Sequence, residues 1–346
     1  MYNTFQTIII PGILAFAAAY IGISFLMKYL YSAGIVAEDR NKAKVVKLPS
    51  SAGLGFAFGI VIGILAYTFG GSFIFKPVMS ISRLLSVALS ILLITLVGFL
   101  DDINVKQERV KSTGMMDIRQ GLKQWQKPIL TILGAFPLMA IDAGVHSVEL
   151  PFVGVVSLGI IYPLILLPLA VIFVSNSVNL LGGFDGLQPL MALAAALGLL
   201  AYNIIFGTYM GAFLSALLSA ALLAMLPFNL YKAKVVPGDS FTYAVGATLV
   251  AIMVMGNSEA FGMIIFIPWI IEFLLHARKR FKVTDLGIRQ RDGSFKAPYG
   301  RKIYSLTHLV MNLKNKATET DVAYYLTALE VLFVVLGFAM KLSGLL

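Results

Sequence analysis

The sequence predicts an all-α, polytopic integral membrane protein with about ten transmembrane helices and its working loops at the cytoplasmic face. Three observations predict it. Hydrophobic residues make up 59% of the 346-residue chain and charged residues 13%, against about 25% charged in a soluble domain. Uncharged runs extend over 1–27, 48–75, 84–100, 128–141, 150–184, 186–231, 240–258 and 331–340, and the longest can hold two bilayer spans of roughly 20 residues each. Finally, all but three of the 27 Lys and Arg residues fall in alternate connections between the expected spans, which is the positive-inside pattern. Strand-length alternating segments are missing, which sets aside a transmembrane barrel.

Taken in order, the spans are expected at 5–30, 52–70, 84–100, 128–144, 155–174, 188–205, 210–227, 242–256, 261–275 and 322–343. The first is expected to be a permanent span, since MYNTFQ lacks a basic leader and the following apolar stretch is too long for a cleaved signal. Placing the N-terminus outside puts Lys28 to Lys47, Lys106 to Lys127, Lys232 with Lys234, and Arg278 to Lys316 inside, leaving only Lys76, Arg83 and Lys341 opposite. One transmembrane domain spans 1–346, with a long basic cytoplasmic loop, 276–321, between the last two helices. Gly, Pro and aromatic residues in RDGSFKAPYGRKIYS suggest turns and short strands there; a disordered linker is the plainer alternative.

Some chemistry is excluded at once. The chain has no cysteine, hence no disulfide, thiolate nucleophile or Cys-type zinc site. His146, His276 and His308 are too dispersed for a clustered zinc motif. The formal charge of +10 follows from topology and attraction to anionic lipid, so no nucleic-acid partner is expected.

The acids carry more information, because a carboxylate beside hydrocarbon is costly unless paired, hydrated or metal-bound. Asp101, Asp102, Asp185 and Asp239 fall at cytoplasmic helix ends in GFLDD, NLLGGFDGL and VVPGDSF. Three loops thus bring carboxylates to one membrane face, where they suit a divalent cation that neutralises phosphate oxygens. In GFLDD one acid can act on a nucleophile while its neighbour orients it; two solvated interfacial acids are the bland reading. In SNSVNLLGGFDGL, Asn176 and Asn179 share a helical face, Asn179 can offer a carbonyl oxygen to a hard cation, Gly182 and Gly183 permit backbone approach, and Asp185 can accept from a base or sugar. Capping and turn formation compete with that reading. Asp239 is placed as a helix cap or a metal ligand. His276-Ala277-Arg278-Lys279-Arg280 can clamp a diphosphate or simply flank a stop-transfer helix.

Together these segments resemble the polyprenyl-phosphate N-acetylhexosamine-1-phosphate transferase superfamily from about residue 39 to 281. DRNKAKVVKLPSSAGLGFAFG is similar to its first cytoplasmic loop, GFLDD to its aspartate pair and VSNSVNLLGGFDGL to its Asn-rich segment. FNLYKAKVVPGDSFTYAVG and HARKR resemble the archaeal and eukaryotic dolichyl-phosphate GlcNAc-1-phosphate transferases most. The resemblance implies Mg²⁺-assisted transfer of GlcNAc-1-phosphate from UDP-GlcNAc to a polyprenyl (dolichyl-type) phosphate, releasing UMP, as the first membrane step of N-glycan-type assembly. Mn²⁺ is an implied substitute. Asn179 and Asp239 are the implied metal ligands; Asp101, Asp102 and Lys127 the catalytic group, with Lys123 an alternative to Lys127. Asn176, Gly182, Gly183, Asp185, His276, Arg278, Arg280 and Lys44 are the implied substrate contacts. Relatives often dimerise, so a homodimer is compatible.

Two features depart from the family pattern. KQERVKSTGMMDIRQGLKQWQ lengthens the link before Lys127, and Asp185 stands where eukaryotic members often carry Asn. A phosphate monoester has a second pKa near 6, so the lipid nucleophile is already substantially ionised at neutral pH, which leaves the base role of Asp101 open. Other readings are the same chemistry with another UDP-sugar such as UDP-MurNAc-pentapeptide, a secondary transporter, or a membrane scaffold.

Overall fold

Long apolar runs become long helices here because a backbone in hydrocarbon must satisfy its own hydrogen bonds. The computed structural model describes residues 4–39, 41–44, 46–103, 106–109, 116–120, 122, 125–150 and 154–346. Its helices are α1 (Ile10–Ser32), α2 (Gly53–Phe73), α3 (Ile81–Ile103), α4 (Gln126–Thr131), α5 (Phe136–Ala140), α6 (Leu167–Leu180), α7 (Leu187–Ile205), α8 (Tyr209–Asn229), α9 (Asp239–Gly256), α10 (Glu259–Ile265), α11 (Ile267–Ala277), α12 (Leu306–Leu313) and α13 (Glu319–Leu342). Short antiparallel hairpins join some of them: β1 (Val36–Asp39) with β2 (Val46–Pro49), β3 (Lys106–Arg109) with β4 (Met116–Gln120), β5 (Ser147–Leu150) with β6 (Gly154–Ser157), and β7 (Ile288–Arg289) with β8 (Phe295–Lys296).

Among the described residues, eight helices are long and apolar enough to cross a bilayer, or nine if the bent pair α10 and α11 counts as one span. The exact count of about ten is not confirmed. The difference lies mainly in 128–144, which forms α4, a 3₁₀ turn over Ile132–Gly134 and then α5. Pro128, Gly134 and Pro137 punctuate that stretch, and each weakens a continuous helix. The expected span 261–275 is also interrupted, with 55° between α10 and α11 and Pro268 just inside α11.

Helix α9 is the hub. It packs against α2, α3, α6, α7 and α8, and 94% of its apolar window is buried, against 22% for the first span and 28% for α13. The peripheral helices thus present their apolar sides to lipid, as bilayer solvation allows. Close approach of α3 requires Gly98, where a Cβ would come within 2.6 Å of the Asp239 backbone. The crossing sets the ends of α3 and α9 side by side.

In the segment 276–321 the expected strands are β7 and β8, and an unexpected helix, α12, follows. Ser305 starts it by accepting from the Thr307 N–H at 3.1 Å, a standard N-cap, and Leu306, Val310 and Met311 bury one face. Thr318 and Asp321 form a reciprocal capping box at the start of α13.

Candidate active site

The connections that end α1, α3, α6, α8 and α11 meet those that begin α2, α7, α9 and α13 at one end of the bundle, and the predicted acids lie there. Asp102, only 8% exposed, anchors α9 from outside that helix. Its carboxylate accepts from the backbone N–H groups of Asp239 (2.8 Å) and Ser240 (3.1 Å), and from the hydroxyls of Ser240 (2.9 Å) and Ser51 (2.6 Å). These are the orphan donors of a helix N-terminus, where a negative charge is also favoured by the helix dipole. Gly238 precedes them with φ +81°, and a Cβ there would stand 2.4 Å from an Asp102 oxygen. Asp102 therefore holds the first turn of α9, and with it Asp239, in place.

Asp101 faces differently. It is 2% exposed, pairs with Lys127 at the start of α4, and accepts from the Leu122 N–H. Lys127 Nζ also contacts Asp239 at 2.9 Å, so one ammonium bridges two carboxylates that are far apart in the chain. Burial alone would lower the Lys127 pKa, but Asp239 and Asp101 outweigh it and hold the ammonium charged well above the usual lysine range. Asn179, in the last turn of α6, lies against the Asp239 carboxylate. Lys123, the alternative to Lys127, lies outside the described residues.

This centre adjoins a cavity of about 230 Å³ lined by Asn179, Gly182, Gly183, Asp185, Gln188, Val236, Asp239, Asp285 and Leu286 among others. Asp185 Oδ2 accepts from Lys42 Nζ at 2.6 Å and from the Ala233 N–H at 2.8 Å. Asn229 fixes the loop's far side, accepting from the Gly186 N–H at 3.1 Å and donating to the Val235 carbonyl at 2.9 Å. A second cavity of about 860 Å³ shares Asp39, Asn41, Leu48 and Ala233 with the first, and adds Lys42, Lys44, Tyr231, Lys232 and Arg289. The expected contact Lys44 is thus at the outer cavity.

Four other predicted residues are placed elsewhere. Asn176 donates to the Ile172 carbonyl one turn back at 2.8 Å and lines neither cavity. His276 is buried and pairs with Glu272 at 2.9 Å; Glu272 also accepts from the Leu306 N–H at 2.7 Å, so this pair docks α12 on α11. Arg278 and Arg280 are exposed, and the Arg278 guanidinium lies 5.7 Å from the centre of the Tyr304 ring. Neither lines either of these two cavities.

Sequence reasoning overlooked Asn41, Lys42, Asp285, Gln188 and Glu319. Lys42 falls in the first basic cytoplasmic connection, where only Lys44 is an implied contact. Glu319 lies within the expected loop 276–321, just before the last expected span, and carries no motif of its own. Among the described residues no three His, Asp or Glu side chains are gathered as a ready-made metal site. The implied donors are the Asp239 carboxylate and the Asn179 amide, with the Asp101 carboxylate, paired to Lys127, beside them: all oxygen, and incomplete without further oxygens from a ligand. That fits Mg²⁺, which typically takes one or two carboxylates and completes its shell with water and substrate phosphate.

A family model described as glycosyl transferase family 4 matches residues 84–257. A protein of Saccharolobus solfataricus, provisionally named UDP-N-acetylglucosamine–dolichyl-phosphate N-acetylglucosaminephosphotransferase, is 30% identical over 332 residues, covering 95% of each chain. The Dictyostelium discoideum protein of the same name, without the provisional qualifier, is 25% identical over 85% of this chain and 77% of its own. The phospho-N-acetylmuramoyl-pentapeptide-transferase of Streptococcus mutans is 27% identical over 77% of each.

Proposed function

The chain belongs to glycosyl transferase family 4, and from that premise we propose that it transfers GlcNAc-1-phosphate from UDP-GlcNAc to a polyprenyl (dolichyl-type) phosphate, yielding lipid-diphosphate-GlcNAc and UMP. The observation that carries the reading is the convergence of Asp101, Lys127, Asn179 and Asp239, from four separate elements, beside a cavity floored by Gly182, Gly183 and Asp185. Such a centre suits a reaction governed by positioning and charge neutralisation.

In that reaction a phosphate oxygen of the lipid attacks the β-phosphorus of the donor, and the bond from that phosphorus to the oxygen of UMP breaks. The electron pair leaves with UMP. Lys127 holds positive charge where phosphate oxygens gather, and Asp101 with Asp239 keeps its ammonium aimed there. Asp239 and Asn179 would hold Mg²⁺ beside Asp101, and the bound ion supplies neutralisation of the developing negative charge. Asp102 contributes by fixing the Asp239 backbone. Asp185 and the Gly182–Gly183 backbone grip the nucleoside. The basic loops support placing this end of the bundle in the cytoplasm with the N-terminus outside, and the lipid tail then lies along the bilayer-facing helices.

The muramoyl-pentapeptide transferase relatives favour a second reading with UDP-MurNAc-pentapeptide as donor. Purified protein given a polyprenyl phosphate and each donor in turn separates them by UMP release and lipid-product detection, with and without EDTA. Product from UDP-GlcNAc is expected. Product only from the muramoyl donor would replace the substrate, and no UMP from either would overturn the enzyme.

A further inference from the structure

We propose that Glu319 is a positioning residue for the donor nucleoside, holding Asp185 and the Gly183 backbone in the shape that grips it. The inference rests on the donor reading above and extends it to the last helix, which lies beyond the family-matched segment.

Glu319 opens α13 and is 4% exposed. Its Oε1 accepts from the Asp185 N–H at 3.1 Å and the Asn41 amide at 3.2 Å, while Oε2 accepts from Lys42 Nζ at 2.6 Å. Those two partners reach the same loop again: Asn41 donates to the Gly183 carbonyl at 2.5 Å, and Lys42 donates to Asp185 Oδ2. Glu319 thus reaches the nucleoside cradle both directly and through the first connecting hairpin.

Helix capping does not account for this arrangement, because Thr318 and Asp321 already cap α13. Stability is a poor account too. Among the described residues Lys42 is the one cation that faces Asp39, Asp185 and Glu319, and gathering three carboxylates in a largely buried site costs free energy. Burial would lower the Lys42 pKa, yet Asp185 and Glu319 push it well above the usual range, so the ammonium is a permanent clamp. Among the described residues only Oδ2 of Asp185 has protein partners. The clamp turns Oδ1 free to accept from a hydroxyl or base N–H of the nucleoside.

The test compares Glu319→Gln with Lys42→Met, which breaks the same contact from the other side. UMP binding by calorimetry and steady-state kinetics with UDP-GlcNAc and a polyprenyl phosphate are the readouts. Loss of a charged hydrogen bond that orients only the bound nucleoside is expected to raise the donor KM and the UMP Kd about tenfold while kcat changes less than about threefold. The acceptor KM should stay at its wild-type value, and the double variant should be no worse than the worse single one. If Glu319→Gln does not fold, Lys42→Met carries the same comparison. Unchanged UMP affinity in the folded variants, or a fall in kcat at constant donor KM, overturns the proposal. A wild-type chain that binds no UMP overturns the donor reading itself.

Discussion

Asp102→Asn separates an anchoring acid from a reacting one. The wild-type carboxylate accepts four hydrogen bonds, one on Oδ1 from the Asp239 N–H and three on Oδ2 from Ser51, the Ser240 N–H and the Ser240 hydroxyl. An asparagine amide keeps one oxygen, so its best orientation leaves NH₂ facing the Asp239 N–H. That is donor against donor in a buried site. An unsatisfied buried donor together with weakened charge-assisted bonds costs about 2–3 kcal/mol. At roughly 2 °C per kcal/mol for a chain of this size, the apparent unfolding midpoint should fall by about 5 °C. Asp101→Asn is the control. It loses the pairing with Lys127 but relieves the neighbouring Asp239, and Lys127 keeps Asp239 as partner, so its stability should change by less than about 1 kcal/mol. Fluorescence-detected thermal unfolding in detergent, using Trp125 and the buried Trp269, measures both. UMP release should fall in both variants. An Asp102→Asn protein with the wild-type midpoint and wild-type turnover would refute the anchoring argument.

Replacing Lys127 by Met should cut kcat by about 10²–10³ while UMP binding is retained, as removing a preorganised charge next to a reacting phosphate does; steady-state kinetics with UMP calorimetry checks it. EDTA should abolish turnover and Mg²⁺ restore it, with Mn²⁺ partly effective, whereas metal-independent UMP release would remove Asn179 and Asp239 from the ligand role. Since the chain lacks cysteine, single Lys44→Cys and Lys76→Cys variants report topology: an impermeant maleimide added to intact cells should label position 76 and spare position 44 until the membrane is opened. Burial, and secondarily the charge of His276, depresses the His308 pKa from 6.5 to about 4. The unfolded chain therefore takes up a proton first as pH falls, so stability is complete above about 6.5 and is lost toward 4, by up to about 3 kcal/mol. The unfolding midpoint of His308→Asn should fall less steeply over that window.

The bundle and the end that carries the acids were legible because charge in hydrocarbon is expensive: an acid that closes an apolar run advertises itself. Asp239 and Asp101 stood out for that reason. Their different surroundings from Asp102 did not, since adjacent helical residues point about 100° apart and only the packing of α3 on α9 reveals what each one meets. Proline and glycine in 128–144 were outweighed by hydropathy, yet they divide that stretch into short turns. Motif order names His276 and the two arginines, but not that the end of α11 buries the first against Glu272 and leaves the others exposed. Lys42 lies in the stretch similar to the family's first loop but its pairing with Glu319 does not show there, because that contact spans most of the chain's length.

The central helix has a consequence for biogenesis. Of the eight candidate spans, α9 has the lowest mean hydropathy, 1.4, so the segment with the weakest affinity for lipid is the one most shielded from it. The helices that make most of its contacts, α2, α3, α6 and α8, all emerge from the ribosome earlier. The protein surface that shields α9 is therefore synthesised before residue 239 is.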